Sequence, residues 1–458
     1  MTRIWAADLV YLNGRFESGR AVVCAGAGNV ERIAHRDEIE DPIILKNRAL
    51  LPGLVNAHSH AFQRVIRGRT ERRSPNTTDS FWTWREQMYA AANRLTPEGI
   101  YAASRMAFLE MALTGITAVG EFHYIHHAPD GTTYEDPNLL AREVVRAARD
   151  VGIRIALLRV AYARAGFETV PNPLQVRFIE ASPDVYLKHF DQLLAAPALD
   201  QKTAWAGIAP HSVRAVPLDY LKTIVAFANK RHLPVHMHVA EQPAEVSACI
   251  QEYGRSPVAL LETEGLLSNR FTAVHAIHVT PKAIAAIARA GAHVCACPTT
   301  ERNLGDGVVP VDAYFNAGVP VSLGSDSQTQ IDLLEDAREL EYHLRLQQTA
   351  RNVLAPENDA GSSALAQRLF DCATINGARS IGFNGGKIEP GAPADFFTVD
   401  LDDPSIAGSS PEDLLANIVF SLSRTAVRDV IAGGERIVEN GRHAQQESII
   451  AAYTDARD

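Results

Sequence analysis

LPGLVNAHSH, residues 51–60, is an apolar run that ends in two histidines one residue apart. Side chains two apart in a strand project to the same side, so His58 and His60 can face one point from the end of a single strand. Two further apolar runs end in comparable residues: HMHVAE at 236–241 carries His238 and Glu241, and SLGSD at 322–326 carries Asp326. Three imidazoles and one carboxylate form a borderline-hard N3O donor set suited to zinc, with iron or manganese also compatible. Three distant segments meeting on one cation require a fold that gathers strand ends.

Outward from residues 51–60, the chain repeats that pattern. Strand-like runs occur at 51–58, 115–124, 153–162, 204–211, 233–241, 271–278, 293–298 and 319–326. Amphipathic helical stretches separate most of them, including 96–113, 138–151, 218–230 and 281–290, the first and last opened by Thr-Pro. Eight alternating strand and helix units predict an α/β fold, a (β/α)8 TIM-like barrel over residues 50–383, with its active site at the carboxyl ends of the strands. The flanks, 1–49 and 384–458, carry strand-and-turn patterns such as LVYLNGRF and VRDVIAGGERIVENG. Each flank alone has too few strands for a stable core, so the two ends together are expected to build one small β-sandwich.

A chain of 458 residues exceeds what one core usually supports, consistent with a barrel plus a companion domain. Its formal charge of -10 argues against nucleic acid as a partner, because phosphate binding needs clustered cationic surface. The local run Arg64, Arg67, Arg69, Arg72 and Arg73 reads as solvated or internally paired loop charge. No apolar run approaches the ~20 residues that span a bilayer, and the first residues lack a basic-then-apolar leader, so no membrane partner and a cytoplasmic location are expected. Five scattered cysteines are an odd number and predict free thiols; Cys295 and Cys297 read as core residues.

With these motifs goes GKIEPGAPAD at 386–395, and together they resemble the amidohydrolase superfamily, in particular its mononuclear deaminase branch. The resemblance covers nearly the whole chain. Binuclear members bridge two metals with a lysine from strand 4; here that strand reads AWAGIAPHS, with Lys202 only before its start, so one metal is implied. The resemblance also implies catalytic roles for Glu241, His275 and Asp326. Bound zinc would bring the pKa of water towards ~7, Asp326 would take the water's proton, His275 would stabilise the tetrahedral intermediate, and Glu241 would protonate the departing nitrogen. His278, three residues beyond His275, points the other way, and His236 lies deeper than His238 as a packed core histidine.

The stretches VNAHSHAFQRVIRG, DSFWTWREQMY, FHYIHH and APHSVRA narrow the resemblance to members of that branch that deiminate N-formimino-L-glutamate in histidine degradation. Such a small dicarboxylate needs cationic forks several ångströms from the metal, and Arg85 and Arg214 are the candidates. Gln63, Tyr124 and His211 complete the expected substrate-binding set. His126 and His127 are expected as a solvent-exposed loop pair, and Trp82 and Trp84 as packing residues. CPTTERNLGDG at 297–307 departs from the serine-asparagine pair usual in purine- and triazine-type relatives. The alternatives are a deaminase of a heterocyclic aromatic amine, which would favour apolar stacking walls over paired arginines, and a non-catalytic assembly protein of the same fold. A homodimer is expected because relatives often pair their barrels.

Overall fold

The computed structural model describes residues 2–73, 78–167, 169, 172–357 and 363–457. The amino-terminal flank supplies β1 (Arg3–Leu12), β2 (Arg15–Ser18), β3 (Arg20–Cys24), β4 (Val30–His35) and β5 (Ile43–Pro52). The middle of the chain supplies β6 (Leu54–Ser59), β7 (Ile116–His123), β8 (Arg154–Ala161), β9 (Ala204–Pro210), β10 (Val235–Val239), β11 (Phe271–His275), β12 (His293–Ala296) and β13 (Val321–Leu323). The carboxyl flank adds β14 (Phe396–Asp400), β15 (Val427–Ala432), β16 (Glu435–Glu439) and β17 (Arg442–His443).

β6 to β13 form one eight-stranded parallel sheet in sequence order. Every residue of these eight strands is buried, which is why they read as continuous apolar runs rather than alternating ones. A bridge between Ser59 and Asp326 closes the sheet into a barrel. There the Asp326 N–H donates to the His58 carbonyl at 3.0 Å, and the His60 N–H donates to the Asp326 carbonyl at 3.0 Å. The seam of the barrel therefore runs through three of the four predicted metal ligands.

Helices return between the strands where the sequence places them. Thr96 caps Pro97–Leu113 by accepting the Gly99 N–H, and Thr280 caps Pro281–Arg289 by accepting the Ala283 N–H. Leu139–Val151 and Leu218–Lys230 fill the other two stretches named above. Among the described residues no helix is long and apolar enough to cross a membrane.

The two chain ends share a nine-stranded sheet ordered β17-β16-β15-β14-β5-β1-β3-β4, with β2 on β1. The β1–β5 pair is parallel and the others are antiparallel. Alternation splits its faces. Trp5, Val22, Leu50, Phe396 and Ile431 form a separate apolar core on one side, while Ala49, Leu51, Phe397 and Val399 join the barrel's core on the other. A buried ion pair bolts the two parts together: Arg154 of β8 donates to Asp395, just before β14, at 2.7 and 3.1 Å.

Two details differ from the sequence reading. Leu51 and Pro52, expected in the first barrel strand, end β5 instead; Gly53 carries the chain into β6, and a Cβ there would lie 2.2 Å from Thr117 Oγ1. The carboxyl flank also contains two helices, Leu414–Ser421 and Gln446–Arg457, where only strands and turns were read. The second is anchored to the helical turn that follows β6: Tyr453 Oη donates to the Arg64 carbonyl at 3.0 Å and Arg457 Nη2 to the Arg67 carbonyl at 3.1 Å.

Candidate active site

At the carboxyl ends of the barrel strands, His58 and His60 from β6 and its exit, His238 from β10, and Asp326 beyond β13 are all buried, and their ligand atoms lie within 4.8 Å of one another. His238 Nε2 is 3.2 Å from His58 Nε2, and Asp326 Oδ1 lies 3.4 and 3.1 Å from the Nε2 atoms of His58 and His60. Two rings are oriented from behind: His60 Nδ1 donates to the Phe122 carbonyl at 2.9 Å and His238 Nδ1 to the His211 carbonyl at 3.0 Å. That leaves each Nε2 lone pair turned to the common centre, the arrangement in which a carbonyl fixes a ligand's tautomer. Burial chiefly lowers the His58 pKa to about 3 and pushes His238 well below its ordinary value, so both stand as neutral donors. Burial would raise the Asp326 carboxyl, but the His58 and His60 rings against Oδ1 outweigh it and hold it well below the usual range. Neutral imidazoles and one carboxylate converging at this spacing fit a divalent cation.

His275, the last residue of β11, faces the quartet. Its Nε2 is 3.7 Å from both Asp326 Oδ2 and Glu241 Oε1. Asp326 thus divides its oxygens, Oδ1 to the ligand histidines and Oδ2 towards His275. Behind the ring, Nδ1 donates to Glu301 Oε1 at 3.1 Å, and the same oxygen accepts the Cys297 N–H at 2.9 Å. Burial alone would lower the His275 pKa, but Glu241, Glu301 and Asp326 overcome it and raise it well above normal. Burial raises the Glu241 carboxyl, against the pull of His275. Three of these turns are left-handed without glycine, with φ of +51° at Ala240, +67° at His275 and +46° at Asp326. Such backbone is sparsely populated and concentrates at functional sites.

A cavity opens over this centre, lined by His60, His238, Glu241, His275 and Asp326 below and by Gln63, Arg85, Tyr124, His211 and Arg214 around it. All five residues expected to bind substrate therefore share one space with three of the four candidate metal donors, His60, His238 and Asp326. Gln63 Nε2 donates to Tyr124 Oη at 2.9 Å, while Gln63 Oε1 has no partner. Arg85 Nε and Arg214 Nη1 are likewise buried and unpaired. Unsatisfied buried donors are costly, and two on separate guanidiniums lining one cavity mark a place suited to an anion.

A model described as "Amidohydrolase family" matches residues 49–437. The chain belongs to the amidohydrolase family. It is 40% identical to formimidoylglutamate deiminase of Pseudomonas aeruginosa over 406 residues, 88% of each chain. It is 29% identical to 5-methylthioadenosine/S-adenosylhomocysteine deaminase of Natronomonas pharaonis over 394 residues, 85% of this chain and 81% of that one. Among solved structures, an amidohydrolase from Brucella melitensis superposes with a TM-score of 0.90 at 34% identity, covering 99% of both chains.

Several residues of this amidohydrolase centre escaped the sequence reading. Glu301 sits in the departing segment 297–307, and its contact with His275 joins positions 26 apart in sequence. Glu121 of β7 accepts Ser59 Oγ at 2.5 Å and the Ala61 N–H at 2.7 Å, holding the turn around His60. Phe81, Met88 and Tyr89 also line the cavity. Trp84, expected to pack, lines it too, while Trp82 lies under the Arg85 guanidinium at 4.6 Å. The expected exposed pair His126 and His127 is buried instead: the segment after β8 covers it, with Arg177 O accepting both backbone N–H groups, and ring nitrogens at 2.8 Å from Val160 O and 3.1 Å from Ile179 O. His236 is a core histidine, its Nε2 donating to Ser380 O at 2.8 Å. The five cysteines are buried free thiols. Arg64 and Arg67 pair internally with Glu110 at 2.6 and 2.7 Å.

Proposed function

We propose that this chain hydrolyses N-formimino-L-glutamate to N-formyl-L-glutamate and ammonia, with zinc as its resident ion. The observation that carries the reading is the pair of unpaired guanidinium donors, Arg85 Nε and Arg214 Nη1, in the cavity lined by His60, His238 and Asp326 of the quartet. A ligand that reacts at a metal and also satisfies two arginines is a carboxylate with a polar reactive end. The deiminase of Pseudomonas aeruginosa, 40% identical, supports the choice of the formimino compound.

A divalent cation on the quartet supplies Lewis acidity that makes water a nucleophile near neutral pH. Asp326 Oδ2 is directed away from His58 and His60 and accepts the proton of the attacking water. Water oxygen bonds to the amidine carbon. His275, charged by its three carboxylate neighbours, donates from Nε2 to the oxygen as the carbon becomes tetrahedral. Glu241, whose carboxyl burial raises, gives a proton to the terminal nitrogen of the adduct formed from the amidinium; the carbon–nitrogen bond breaks as the hydroxyl becomes the formyl carbonyl, its hydrogen passes back to Glu241, and ammonia leaves. Gln63 and Tyr124 hold the near carboxylate and Arg85 and Arg214 the far one.

Ammonia release from N-formimino-L-glutamate, compared with guanine and S-adenosylhomocysteine, tests the reading. Turnover of the formimino compound alone is the expected result; turnover of a heterocycle without it overturns the substrate. On this reading the enzyme works in the cytoplasm, in histidine degradation, as a homodimer that elutes at twice the chain mass.

A further inference from the structure

We infer that Tyr89, held by Gln175 and Tyr162, is a third donor to the substrate's far carboxylate and thereby a specificity-determining residue. The inference rests on the reading above. Tyr89 lies one helical turn beyond Arg85 on Phe81–Arg94, so both side chains leave the same face of that helix. It lines the cavity with Arg85 and Arg214, and the Arg85 guanidinium sits 5.5 Å from its ring centre.

A count of hydrogens carries the argument. Gln175 Nε2 donates to both phenol oxygens, to Tyr89 at 2.8 Å and to Tyr162 at 2.5 Å, which uses its two hydrogens. The phenol oxygens are 3.2 Å apart, so one hydroxyl donates to the other. One hydroxyl hydrogen then remains without a protein acceptor among the described residues. Tyr89, Tyr162 and Gln175 are all nearly inaccessible to solvent, and an unpaired donor there is as unfavourable as the unpaired nitrogens of Arg85 and Arg214. Tyr89 borders the cavity and Tyr162 does not. The arrangement that satisfies an anion in the cavity has Tyr162 donating to Tyr89 and Tyr89 donating to the anion. Burial and the neighbouring Tyr162 raise the Tyr89 phenol well above its ordinary value, against Arg85 and Arg214, so it retains its hydrogen.

Three donors on one carboxylate reject an analogue that lacks it, because all three are then left buried and unpaired. The test compares wild type, Tyr89→Phe and Tyr162→Phe as zinc-loaded enzymes on three compounds. N-formimino-L-glutamate has both carboxylates, N-formimino-4-aminobutyrate only the far one, and N-formimino-L-norvaline only the near one. Where turnover is too slow to follow, the inhibition constant against the full substrate replaces KM. Tyr89→Phe is expected to lower kcat/KM by roughly tenfold to a hundredfold for the two compounds that carry the far carboxylate, mostly through KM, and by less than about threefold for the norvaline analogue. Tyr162→Phe should cost less than Tyr89→Phe on both compounds that carry the far carboxylate, since it removes a hydrogen bond to Tyr89 but leaves the hydroxyl that meets the anion. Equal losses of Tyr89→Phe on all three compounds, no loss on any, or an equal loss in Tyr162→Phe overturns the inference while the assigned reaction stands. Failure of the wild type on N-formimino-L-glutamate removes the reading beneath it as well.

Discussion

At the scale of the residue, the four converging donors act as a unit. His238→Ala or Asp326→Ala should leave a folded barrel with an unchanged far-UV spectrum but no bound metal and no ammonia release; metal analysis alongside the assay checks both. Arg85→Ala and Arg214→Ala separate the dicarboxylate reading from a heterocycle deaminase. Each removes a charge-assisted hydrogen bond of roughly 1.5–3 kcal/mol, so KM should rise about tenfold to a hundredfold with kcat changed much less. Unchanged KM in both variants would favour stacking over ionic recognition. His58, His60 and His238 were legible in the sequence because they lie in or directly after buried strands, where strand period fixes direction, and Asp326 because it ends the apolar run that carries β13. Glu301 was not, because its role depends on a helix start at Pro298–Leu304 being packed behind β11.

At the scale of the element, the closure of β6 on β13 decides whether the donors meet. Gly324 lies against that seam: a Cβ there would stand 2.7 Å from His58 Cβ and 2.8 Å from the His58 carbonyl oxygen. Gly324→Ala should therefore force the two strands apart, destabilise the protein by about 1–3 kcal/mol, as overpacking typically does, and lower the zinc content per chain. Thermal unfolding with metal quantification measures both; a variant with native stability and full zinc would show that the seam tolerates the shift. The helices named from Thr-Pro caps and apolar period begin where the sequence places them. Helices Leu414–Ser421 and Gln446–Arg457 did not stand out, since the turn-rich flank around them masks their short period.

At the scale of the whole molecule, stability at low pH should follow a buried ion network away from the metal quartet. Arg159 of β8 donates to both oxygens of Glu180 at 2.5 and 3.0 Å, and His189 Nδ1 lies 2.5 Å from Glu180 Oε1. Burial would raise the Glu180 carboxyl, but Arg159 and then His189 overcome it and hold it far below the usual range. A carboxyl depressed in the folded state contributes its stability above its unfolded pKa of about 4.3, and loses it as pH falls through the folded value. The contribution of this network to the denaturant midpoint should therefore be constant near neutrality and fall away below about pH 4. Glu180→Gln, which leaves Arg159 buried without its counter-charge, should cost about 3–5 kcal/mol at pH 7, with the gap to wild type narrowing on acidification. A gap independent of pH would assign the loss to packing instead.

The sequence by itself determined the barrel, the sheet shared by both ends, and the identities of the residues that gather at the strand ends, because period and burial are written locally in each run. Tertiary structure alone decided the rest: Glu301 behind His275, Gln175 bridging Tyr89 and Tyr162, and the burial of His126 and His127 under the segment after β8. Each of these contacts joins segments whose adjacency follows from how loops pack over the barrel mouth, and no local period encodes that packing.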